Sequence, residues 1–402
     1  MTEHMNILYI VPSIPAPARR GYEVIAFHRL RFMSSVHRIS VAFLYAQERE
    51  LDGMEALRPF AERIIPIRVS RFRRLTSVLT GVFSGLPFQV SLSAQSYVSR
   101  RLAEVVTEGG YDLINVYMLR MCAVIPPTRV PVVIDLVDSM VLNFSRRIAA
   151  ASFPYSMLLR EEVRRLRAYE GYIAGRFPTV VVSEVDRDIV SAGSSVIPLG
   201  IDQTEFFPAK TRQTRQVIIF TGNLFYQPNH EAVEWFIVNC WSGIRASHRQ
   251  AVFRVVGGGP PAHIIAYHGK DGIEIVGRVA SMGDAIRDAA VSVAPMQSGS
   301  GMQFKILEAM ACGIPVVATS LGRGAIKAVD GRSIVLADTA GATVTAVCGL
   351  LTDMAFADRC AAEGRCLVQA NYTWEVHCAL VGLLYGNESN MTDRKPRSVN
   401  AS

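Results

Sequence analysis

The sequence predicts an α/β protein built from two doubly wound domains, and three observations lead to this fold class. Short apolar runs rich in β-branched residues alternate with helical stretches through the first half of the chain. The same alternation starts again at Val217. Between the two series lies a polar, turn-rich segment with the sequence VIPLGIDQTEFFPAKTRQTRQ. Such alternation is typical of parallel sheets with helices on both faces, and the segment is typical of a domain boundary.

The first domain is expected over residues 1–200. Met5–Val11 is predicted as a buried strand, followed by a proline-rich turn to Gly21 and an amphipathic helix to about Met33. Further apolar runs predict strands at Ile39–Tyr45, Leu113–Tyr117, Val132–Leu136, Val180–Ser183 and Val196–Leu199.

The second domain is expected over residues 201–386, ending in a helix at Tyr372–Tyr385. The residues from 387 to 402 are polar and are expected to form a disordered tail. The apolar runs of this domain predict strands at Val217–Thr221, Phe253–Val256, Ile273–Val276, Val291–Ala294, Pro315–Thr319 and Ser333–Leu336.

The composition limits the classes of protein that the chain can be. Its 402 residues, half of them apolar, are enough for two hydrophobic cores. Seven cysteines without a C-x-x-C pair indicate scattered core thiols rather than a disulfide framework or a cysteine metal cage. The first apolar run, Ile7–Val11, is too short for the core of a signal peptide, and no later run has the length of a membrane span. We therefore expect a cytoplasmic protein.

A basic region extends from Arg63 to Arg101 and contains no acidic residue between Glu62 and Glu104. Its arginines are interleaved with large apolar residues, as in segments that bind an anionic membrane surface. A solvated basic face beside a core helix is an equally good interpretation. Nucleic acid is not expected as a partner, because no aromatic platform or binding motif accompanies these arginines. The region predicts peripheral contact with the inner face of the cytoplasmic membrane.

The most informative motif runs from Gly299 to Val317 with the sequence GSGMQFKILEAMACGIPVV. A glycine-rich turn leads into an apolar helix, where free backbone N–H groups and the positive end of the helix dipole favour phosphate. Lys305 and Glu308 share one face of this helix. Either they pair with each other, or they bind a ligand that carries both phosphate and hydroxyl groups.

This motif resembles the donor site of retaining glycosyltransferases of family four, which have the GT-B fold, with two Rossmann-like domains facing a cleft. The resemblance extends over most of the chain, through MNILYIVPSIP, VIPLGIDQTEFFP, FTGNLFYQPNHEAVEWF and YTWEVHCALVGLLYG. It is closest to the branch that contains bacterial exopolysaccharide sugar transferases. The resemblance implies that the first domain binds an acceptor and the second a nucleotide-activated sugar.

Several donor-binding residues follow from the resemblance. Glu308 stands where the family binds the ribose hydroxyls of the nucleotide, since a carboxylate accepts two hydrogen bonds from a vicinal diol. Lys305 would lie near the diphosphate and stabilise the departing charge. The glycine-rich loops of the family correspond here to Gly222 with Asn223 and to Gly301. Gly21 matches the N-terminal glycine loop, although an ordinary turn would also explain a glycine there.

Two departures from the family pattern affect this assignment. Ser300 stands where family members carry a first glutamate that binds the donor sugar, and a neutral hydroxyl gives weaker hydrogen bonds. The loop from Gly222 to Gln227 lacks the arginine and lysine that often bind diphosphate, and instead matches the branch whose loop ends in Tyr-x-Pro-Asn. Lys305 and Arg278 are then expected to take the phosphate charge.

Asp138 is the candidate catalytic residue of the first domain. It follows the strand Val132–Leu136 and matches an aspartate-containing loop of the branch, where it would accept the acceptor proton or orient its hydroxyl. Asp135 is the alternative, since carboxylates at strand ends also cap loops. The D-x-D sequence from Asp186 to Asp188 has the form used by metal-dependent transferases, but its place at a predicted helix start favours an exposed structural role.

The expected function is therefore retaining transfer of a sugar from a nucleotide-diphosphate donor to a lipid-linked or saccharide acceptor. No metal and no cofactor are expected. Two alternatives stay open: a nucleotide-sugar epimerase of the same fold, and a scaffold subunit without turnover. Ser300 and the missing cation pair motivate the scaffold, whereas the basic region argues against the epimerase, since a soluble substrate needs no membrane contact.

Overall fold

The computed structural model describes residues 4–16, 21–70, 85–148, 151–209, 216–299 and 302–389. These residues form two compact units. The first unit contains the described residues up to Pro198 together with those from His377 onward, and the second contains Leu199–Val376. The last helix therefore begins in the second unit and ends in the first.

The first unit is built on a parallel sheet of seven strands in the order β3-β2-β1-β4-β5-β6-β7. The central strands are buried on both faces, which explains their continuous apolar sequences. The strands are β1 (Asn6–Val11), β2 (Arg38–Tyr45), β3 (Arg63–Arg68), β4 (Leu113–Tyr117), β5 (Val132–Val137), β6 (Thr179–Val181) and β7 (Ser195–Val196).

Helices connect these strands in the first unit. They are α1 (Gly21–Met33), α2 (Met54–Leu57), α3 (Phe88–Ser91), α4 (Ser96–Gly109), α5 (Met140–Ile148), α6 (Tyr155–Arg176) and α7 (Glu184–Val190), with short 3₁₀ helices at Glu48–Leu51 and Leu119–Val124.

The second unit repeats this plan with six parallel strands in the order β10-β9-β8-β11-β12-β13. In both sheets the strand order reverses beside the first strand of the unit, and ligands of such sheets bind where the carboxyl ends of the strands meet this reversal. The strands are β8 (Val217–Thr221), β9 (Val252–Val256), β10 (Ile273–Gly277), β11 (Val291–Ala294), β12 (Val316–Ala318) and β13 (Val335–Leu336).

Most helices after residue 216 cover the second sheet. They are α8 (Gln227–Phe236), α9 (Ser242–Ser247), α10 (Ala262–Ile265), α11 (Met282–Arg287), α12 (Phe304–Ala311), α13 (Ser320–Arg323), α14 (Ala340–Thr352) and α15 (Met354–Asn371), with a π-helical turn at Ile237–Trp241 between α8 and α9. The final helix, α16, is Trp374–Ser389. No single described helix is long and apolar enough to cross a membrane. The bent pair α14 and α15, with 102° between them, meets that criterion by length and composition alone.

The structure confirms the α/β class of two doubly wound sheets, and each predicted strand is present with small shifts at its ends. Strand β3 was not predicted, because its charged ends and internal Pro66 hide its pattern. The strand lies at the edge of the sheet, where proline is tolerated and charge protects against edge pairing. Arg63 and Arg68 therefore lie on an edge strand and not beside a core helix. Helix α16 also includes residues 387–389, which were expected to belong to the tail, and residues 390–402 lie outside the described part.

A buried ion pair crosses the core of the first unit. Arg29 of α1 pairs with Asp135 of β5, and both side chains are almost fully buried. The guanidinium also donates from Nε to Nε2 of His377 at 3.0 Å, and Nδ1 of His377 donates to the carbonyl of Pro198 at 2.6 Å. Burial and the charge of Arg29 lower the pKa of His377 well below its usual value, so the imidazole is neutral and can accept this bond. The pair thus links α1, β5 and α16.

Replacing Arg29 by methionine is expected to destabilise the first unit by about 3–5 kcal/mol, because it leaves the carboxylate of Asp135 buried without its partner. The change should appear as a lower urea midpoint for the unfolding of this unit. Arg38→Met is the matched control, since Arg38 pairs with Glu62 at 2.5 Å but both side chains are exposed. Equal shifts of the midpoint in the two variants would contradict a structural role of the buried pair.

Candidate functional site

Three loops of the second unit meet at the carboxyl ends of its strands. The N–H of Gly222, after β8, donates to the carbonyl of Val256 at 3.0 Å, and the N–H of Leu224 donates to the carbonyl of Gly258 at 2.8 Å. The N–H of Gly257, after β9, donates to the carbonyl of Gly277 at the end of β10 at 2.7 Å. These backbone bonds hold the loops in register beside the point where the strand order reverses, as expected for a ligand site of such a sheet.

Two glycines allow these loops to approach each other. Gly222 and Gly257 both have φ of 153°, a conformation that side chains disfavour. A Cβ atom on Gly257 would lie 1.8 Å from the carbonyl oxygen of Gly222, so only glycine fits there. A Cβ atom on Gly222 would lie 2.9 Å from the side-chain amide of Asn229 and 3.3 Å from Cε of Lys305. The close approach therefore keeps the floor of the site free of side chains.

Lys305 of α12 lies directly against this floor. Its Nζ donates to Oδ1 of Asn229 at 2.7 Å and to Oε1 of Gln303 at 3.2 Å, and it lies 4.7 Å from the ring centroid of Phe220. The residue is 7% exposed. All of these contacts are neutral, and burial lowers the pKa of Lys305 to about 7. The ammonium is thus a buried cation without full charge compensation.

Glu308 lies one turn along α12 and is half-buried. Lys305 and Glu308 do not form an ion pair, so the structure does not show the local pairing that the sequence left open. Within the described residues the Glu308 carboxylate has no hydrogen-bond partner. Burial and the charge of Glu205 raise its pKa to about 7, although Lys305 partly opposes the shift. The carboxylate is therefore available to accept hydrogen bonds from a ligand.

Arg278 places a second cation at the same edge of the sheet. It follows β10 and is exposed, and its side chain lies against Gly258, where a Cβ atom would be 2.6 Å from the arginine Nε. Within the described part of the chain its guanidinium has no ion pair or hydrogen bond. Since Gly258 belongs to the loop that also contacts Leu224, Arg278 lies beside the loops that carry Gly222 and Gly257.

Asn229 connects the loop after β8 to Lys305, and it is not among the predicted site residues. Its side chain accepts from Lys305 and donates through Nδ2 to the carbonyl of Asn223 at 2.8 Å. Asn223 is itself exposed, and its Oδ1 accepts the N–H of Phe225 at 3.1 Å. The signal was present in the Tyr-x-Pro-Asn sequence from Tyr226 to Asn229, which was used only to identify a branch of the family.

The loop after β11 also contacts α8. Gly299 is the last described residue before positions 300 and 301, and a Cβ atom on it would lie 3.2 Å from Pro228. The hydroxyl of Ser298 donates to Glu231 at 2.5 Å, which holds this loop against the helix. Ser300 and Gly301, both predicted donor-binding residues, lie outside the described residues.

Asp138 lies at the corresponding edge of the first sheet, directly after β5. The preceding residue, Val137, has φ of 67°, an unusual conformation for a β-branched residue, and its N–H donates to Oδ1 of Asp135 at 2.9 Å. Burial and the charges of Asp186 and Glu170 raise the pKa of Asp138 to about 7. Asp135 forms an ion pair with Arg29, so of the two aspartates Asp138 is the better candidate for proton transfer.

Asp186 contradicts the exposed role expected for the D-x-D sequence. It is 1% exposed and accepts the N–H of Ser139 at 2.9 Å, while Glu170 accepts the hydroxyl of Ser139 at 2.8 Å. The N–H of Met140 also donates to Glu170 at 2.7 Å, so both acids cap the start of α5. Within the described residues no group of three or more His, Cys, Asp or Glu side chains could hold a metal ion.

Gly21 is the first residue of α1, and the residues 17–20 before it lie outside the described part. The loop before them is tied to the helix, because the hydroxyl of Ser13 hydrogen-bonds the hydroxyl of Tyr22 at 2.8 Å and donates to Glu23 at 3.1 Å. The approach of Gly21 to a donor phosphate therefore stays a prediction.

Part of the chain matches a protein family. Residues 215–353 match the family model described as glycosyl transferases group 1, and this stretch contains Asn223, Asn229, Arg278, Lys305 and Glu308. No curated protein matches the sequence of the chain.

Solved structures resemble almost the whole chain. It is similar to HepE from Anabaena in complex with UDP-glucose, with a TM-score of 0.65 and 13% identity over 95% of this chain and 99% of HepE. It is also similar to TarM from S. aureus in complex with fondaparinux, α-GlcNAc-glycerol and UDP (TM-score 0.69, 11% identity, 96% and 100% of the two chains). A glycosyltransferase from Rickettsia africae has a TM-score of 0.67 at 12% identity, over 96% and 98%. These likenesses confirm the predicted GT-B fold class.

The shifted pKa values predict how the stability of the second unit depends on pH. Between pH 7 and 10.5 the unfolded chain binds more protons at Lys305 than the folded chain, so stability contributed by this group rises with pH. Between pH 4.5 and 7 the folded chain binds more protons at Glu308, so that contribution falls with rising pH. Lys305→Met should remove the rise and Glu308→Gln the fall. Denaturation midpoints across this pH range, compared with the unsubstituted protein, measure both. Unchanged slopes in both variants would contradict the assigned environments.

Proposed function

We propose that the chain is a glycosyltransferase that moves a sugar from a nucleotide-diphosphate donor to a lipid-linked or saccharide acceptor. The observation that carries this proposal is the buried ammonium of Lys305, which lies beside a glycine floor and whose hydrogen-bond partners among the described residues are all neutral. An anion that reaches this ammonium would offset the cost of burying it. The family match of residues 215–353 and the UDP-bound structures of similar fold support a nucleotide-sugar donor.

Different residues are proposed to bind different chemical groups of the donor. Lys305 and Arg278 bind the diphosphate, which lies over the floor at Gly222 and Asn223, where Gly222 has no side chain to obstruct it. Glu308 accepts both ribose hydroxyls, a role that suits a carboxylate without a partner among the described residues. Ser300 and Gly301 are proposed to contact the donor from the start of α12. Gly21 is proposed to approach it from the first unit.

Asp138 is the proposed catalytic residue of the first unit, where it takes the acceptor proton or orients the acceptor hydroxyl. A carboxyl with pKa near 7 is matched to proton transfer at neutral pH. Lys305 stabilises the charge that develops on the departing diphosphate, and electrostatic stabilisation of this kind is usually the largest single contribution to catalysis. We propose that the configuration at the sugar is retained and that neither a metal nor a cofactor takes part.

The biological role that we propose is bacterial surface polysaccharide synthesis, within family four and near its exopolysaccharide branch. The protein would act in the cytoplasm and use an anionic membrane surface as a partner through the Arg63–Arg101 region. Arg63 and Arg68 are exposed at the edge strand β3, and Arg101 pairs with Glu104 at 2.6 Å. Arg71, Arg73 and Arg74 lie outside the described residues.

Two alternatives make different predictions. An epimerase of this fold would release an epimerised nucleotide sugar when no acceptor is present. A scaffold subunit would keep its biological output after Glu308→Ala, whereas a transferase would lose it. The Glu308 carboxylate has no hydrogen-bond partner in the described part of the chain, which favours a ligand-binding protein over a scaffold, because burial of an unused carboxylate is costly.

The donor contacts can be separated with two ligands, UDP and uridine. Arg278→Ala should weaken UDP binding roughly ten- to hundredfold, the usual effect of one charge-assisted hydrogen bond, and leave uridine binding unchanged. Glu308→Ala should weaken both ligands, since both contain the ribose diol. Calorimetric titration measures each affinity, with GDP and ADP as further diphosphates for identifying the base.

Arg249→Ala is the matched control for Arg278→Ala, because Arg249 is also exposed but precedes β9 at the opposite edge of the sheet. If none of the nucleoside diphosphates binds the unsubstituted protein, the proposed function is wrong. If UDP affinity falls equally in both arginine variants, the assignment of Arg278 is wrong.

Asp138→Asn should lower kcat/KM for sugar transfer by about 10²–10⁴, the usual contribution of a general base, with UDP affinity unchanged. Because the carboxylate must be ionised, kcat/KM of the unsubstituted protein should also fall as the pH drops below about 7. The control is Asp188→Asn, whose carboxylate is 70% exposed. A transfer rate in Asp138→Asn that equals that of Asp188→Asn would remove Asp138 from the mechanism.

A further inference from the structure

Large apolar side chains are concentrated at one corner of the first unit, between α5 and α6. Phe153 is 77% exposed, Met157 60%, Leu158 51% and Tyr155 46%. We name these four residues the apolar corner. The other exposed large apolar residues described in this unit are Val36, Tyr97, Tyr172 and Val185, which are far apart in the sequence, and the pair Leu380 and Leu383 on α16. Four such side chains within six positions are therefore the densest exposed apolar group described in this unit, and groups of this kind mark interaction sites.

The surroundings of the apolar corner are basic. From Ser139 to Arg160 the sequence has three arginines and no acidic residue. Arg147 lies 5.1 Å from the ring centroid of Phe144 and donates to the hydroxyl of Tyr155 at 3.2 Å, so a guanidinium is held at the rim of the patch. Arg146 and Arg160 are exposed beside it.

The helix that carries most of the corner also contacts residues 86–89, which belong to the acid-free segment 63–103. The carboxylate of Glu162, on the next turn of α6, accepts the N–H of Phe88 at 2.7 Å and that of Gln89 at 3.0 Å. Arg165 lies 4.8 Å from the ring centroid of Phe88 and donates to the carbonyl of Leu86 at 3.2 Å. The acids of this turn are engaged, because Glu161 pairs with Arg164 and Arg165 at 2.7 Å. The apolar corner and residues 86–89 of this segment therefore belong to one positively charged region.

We propose that the apolar corner inserts into the interfacial layer of an anionic lipid bilayer, with Arg146, Arg147 and Arg160 at the level of the lipid phosphates. Phe153, Met157 and Leu158 would enter the acyl boundary, and Tyr155 would stay at the headgroups, where tyrosine is favoured. Each arginine adds attraction to anionic lipid. A second copy of the chain fits this surface less well, since a two-fold contact would bring the same three arginines face to face.

This insertion extends the proposed function, and rests on it only in so far as a lipid-linked acceptor lies at the bilayer. It also locates membrane contact at a place that the sequence did not indicate. Among its described residues the predicted basic region has no cluster of exposed large apolar side chains, whereas the corner has both exposed apolar side chains and charge. The two locations make different predictions about which substitutions release the protein.

The test is flotation of the full-length protein with vesicles, without nucleotide or acceptor. The protein should float with phosphatidylcholine–phosphatidylglycerol vesicles and much less with phosphatidylcholine alone. Phe153→Ser/Met157→Ser should lower the partition by about tenfold or more, because two large side chains no longer leave water. Leu383→Ser is the matched control, since Leu383 is 65% exposed in the same unit but far along the sequence from the corner, and it should float as well as the unsubstituted protein.

Three results would overturn the insertion. One is that Phe153→Ser/Met157→Ser floats as well as the control. The second is that Arg100→Ser/Arg101→Ser abolishes flotation while Phe153→Ser/Met157→Ser does not, which would move the contact to the basic region. The third is that light scattering shows a dimer that the corner variant converts to a monomer, which identifies a second copy as the occupant. The urea midpoint for unfolding of the first unit reports whether the corner variant is folded, and loss of sugar transfer in any variant does not affect the flotation result.

Discussion

The contact between Lys305 and Asn229 is the interaction on which the candidate donor site depends. It connects α12 to α8, and the same asparagine holds the loop after β8 through the carbonyl of Asn223. The partners are neutral, so they orient the ammonium but compensate little of its charge. A carboxylate in place of Asn229 would stabilise the lysine in the free protein and thereby reduce its attraction for an anion. The neutral partner thus keeps the cation positioned and still available.

Each unit has a titratable group at the carboxyl ends of its strands, and the two groups are of opposite charge type. Each places a residue with pKa near 7 just beyond the carboxyl end of a parallel sheet, Lys305 in the second unit and Asp138 in the first. In the second unit the site is opened by glycines, which permit close backbone approach. In the first, Val137 adopts a strained conformation, which the Asp135 carboxylate supports through its hydrogen bond. The buried Arg29 pair therefore contributes to the position of Asp138 as well as to stability.

The sequence was sufficient to predict those features of the structure that depend on one strong local pattern. Apolar β-branched runs predicted the buried strands of both sheets, and the Gly299–Val317 motif located Lys305 and Glu308 correctly on one helix. It was insufficient where several distant residues act together. β3 is stable only because β2 pairs with it, which its charged pattern does not reveal. Asp186 caps the start of α5, which is 47 residues away from it at Ser139. Asn229 acquires its role from Lys305, which is 76 residues away, so the Tyr-x-Pro-Asn sequence marks the asparagine but does not reveal that contact.

The environments of Lys305 and Glu308 also determine how many protons the protein would take up or release when a ligand binds. A diphosphate near Lys305 favours the ammonium and raises its pKa, whereas two ribose hydroxyls donating to Glu308 favour the carboxylate and lower its pKa. Both pKa values begin near 7, so the two changes are opposite in sign and similar in size at neutral pH. A ligand with both groups would therefore bind with little net uptake of protons. A ligand with phosphate alone would draw a proton onto Lys305 without releasing one from Glu308, and would bind more tightly as the pH falls.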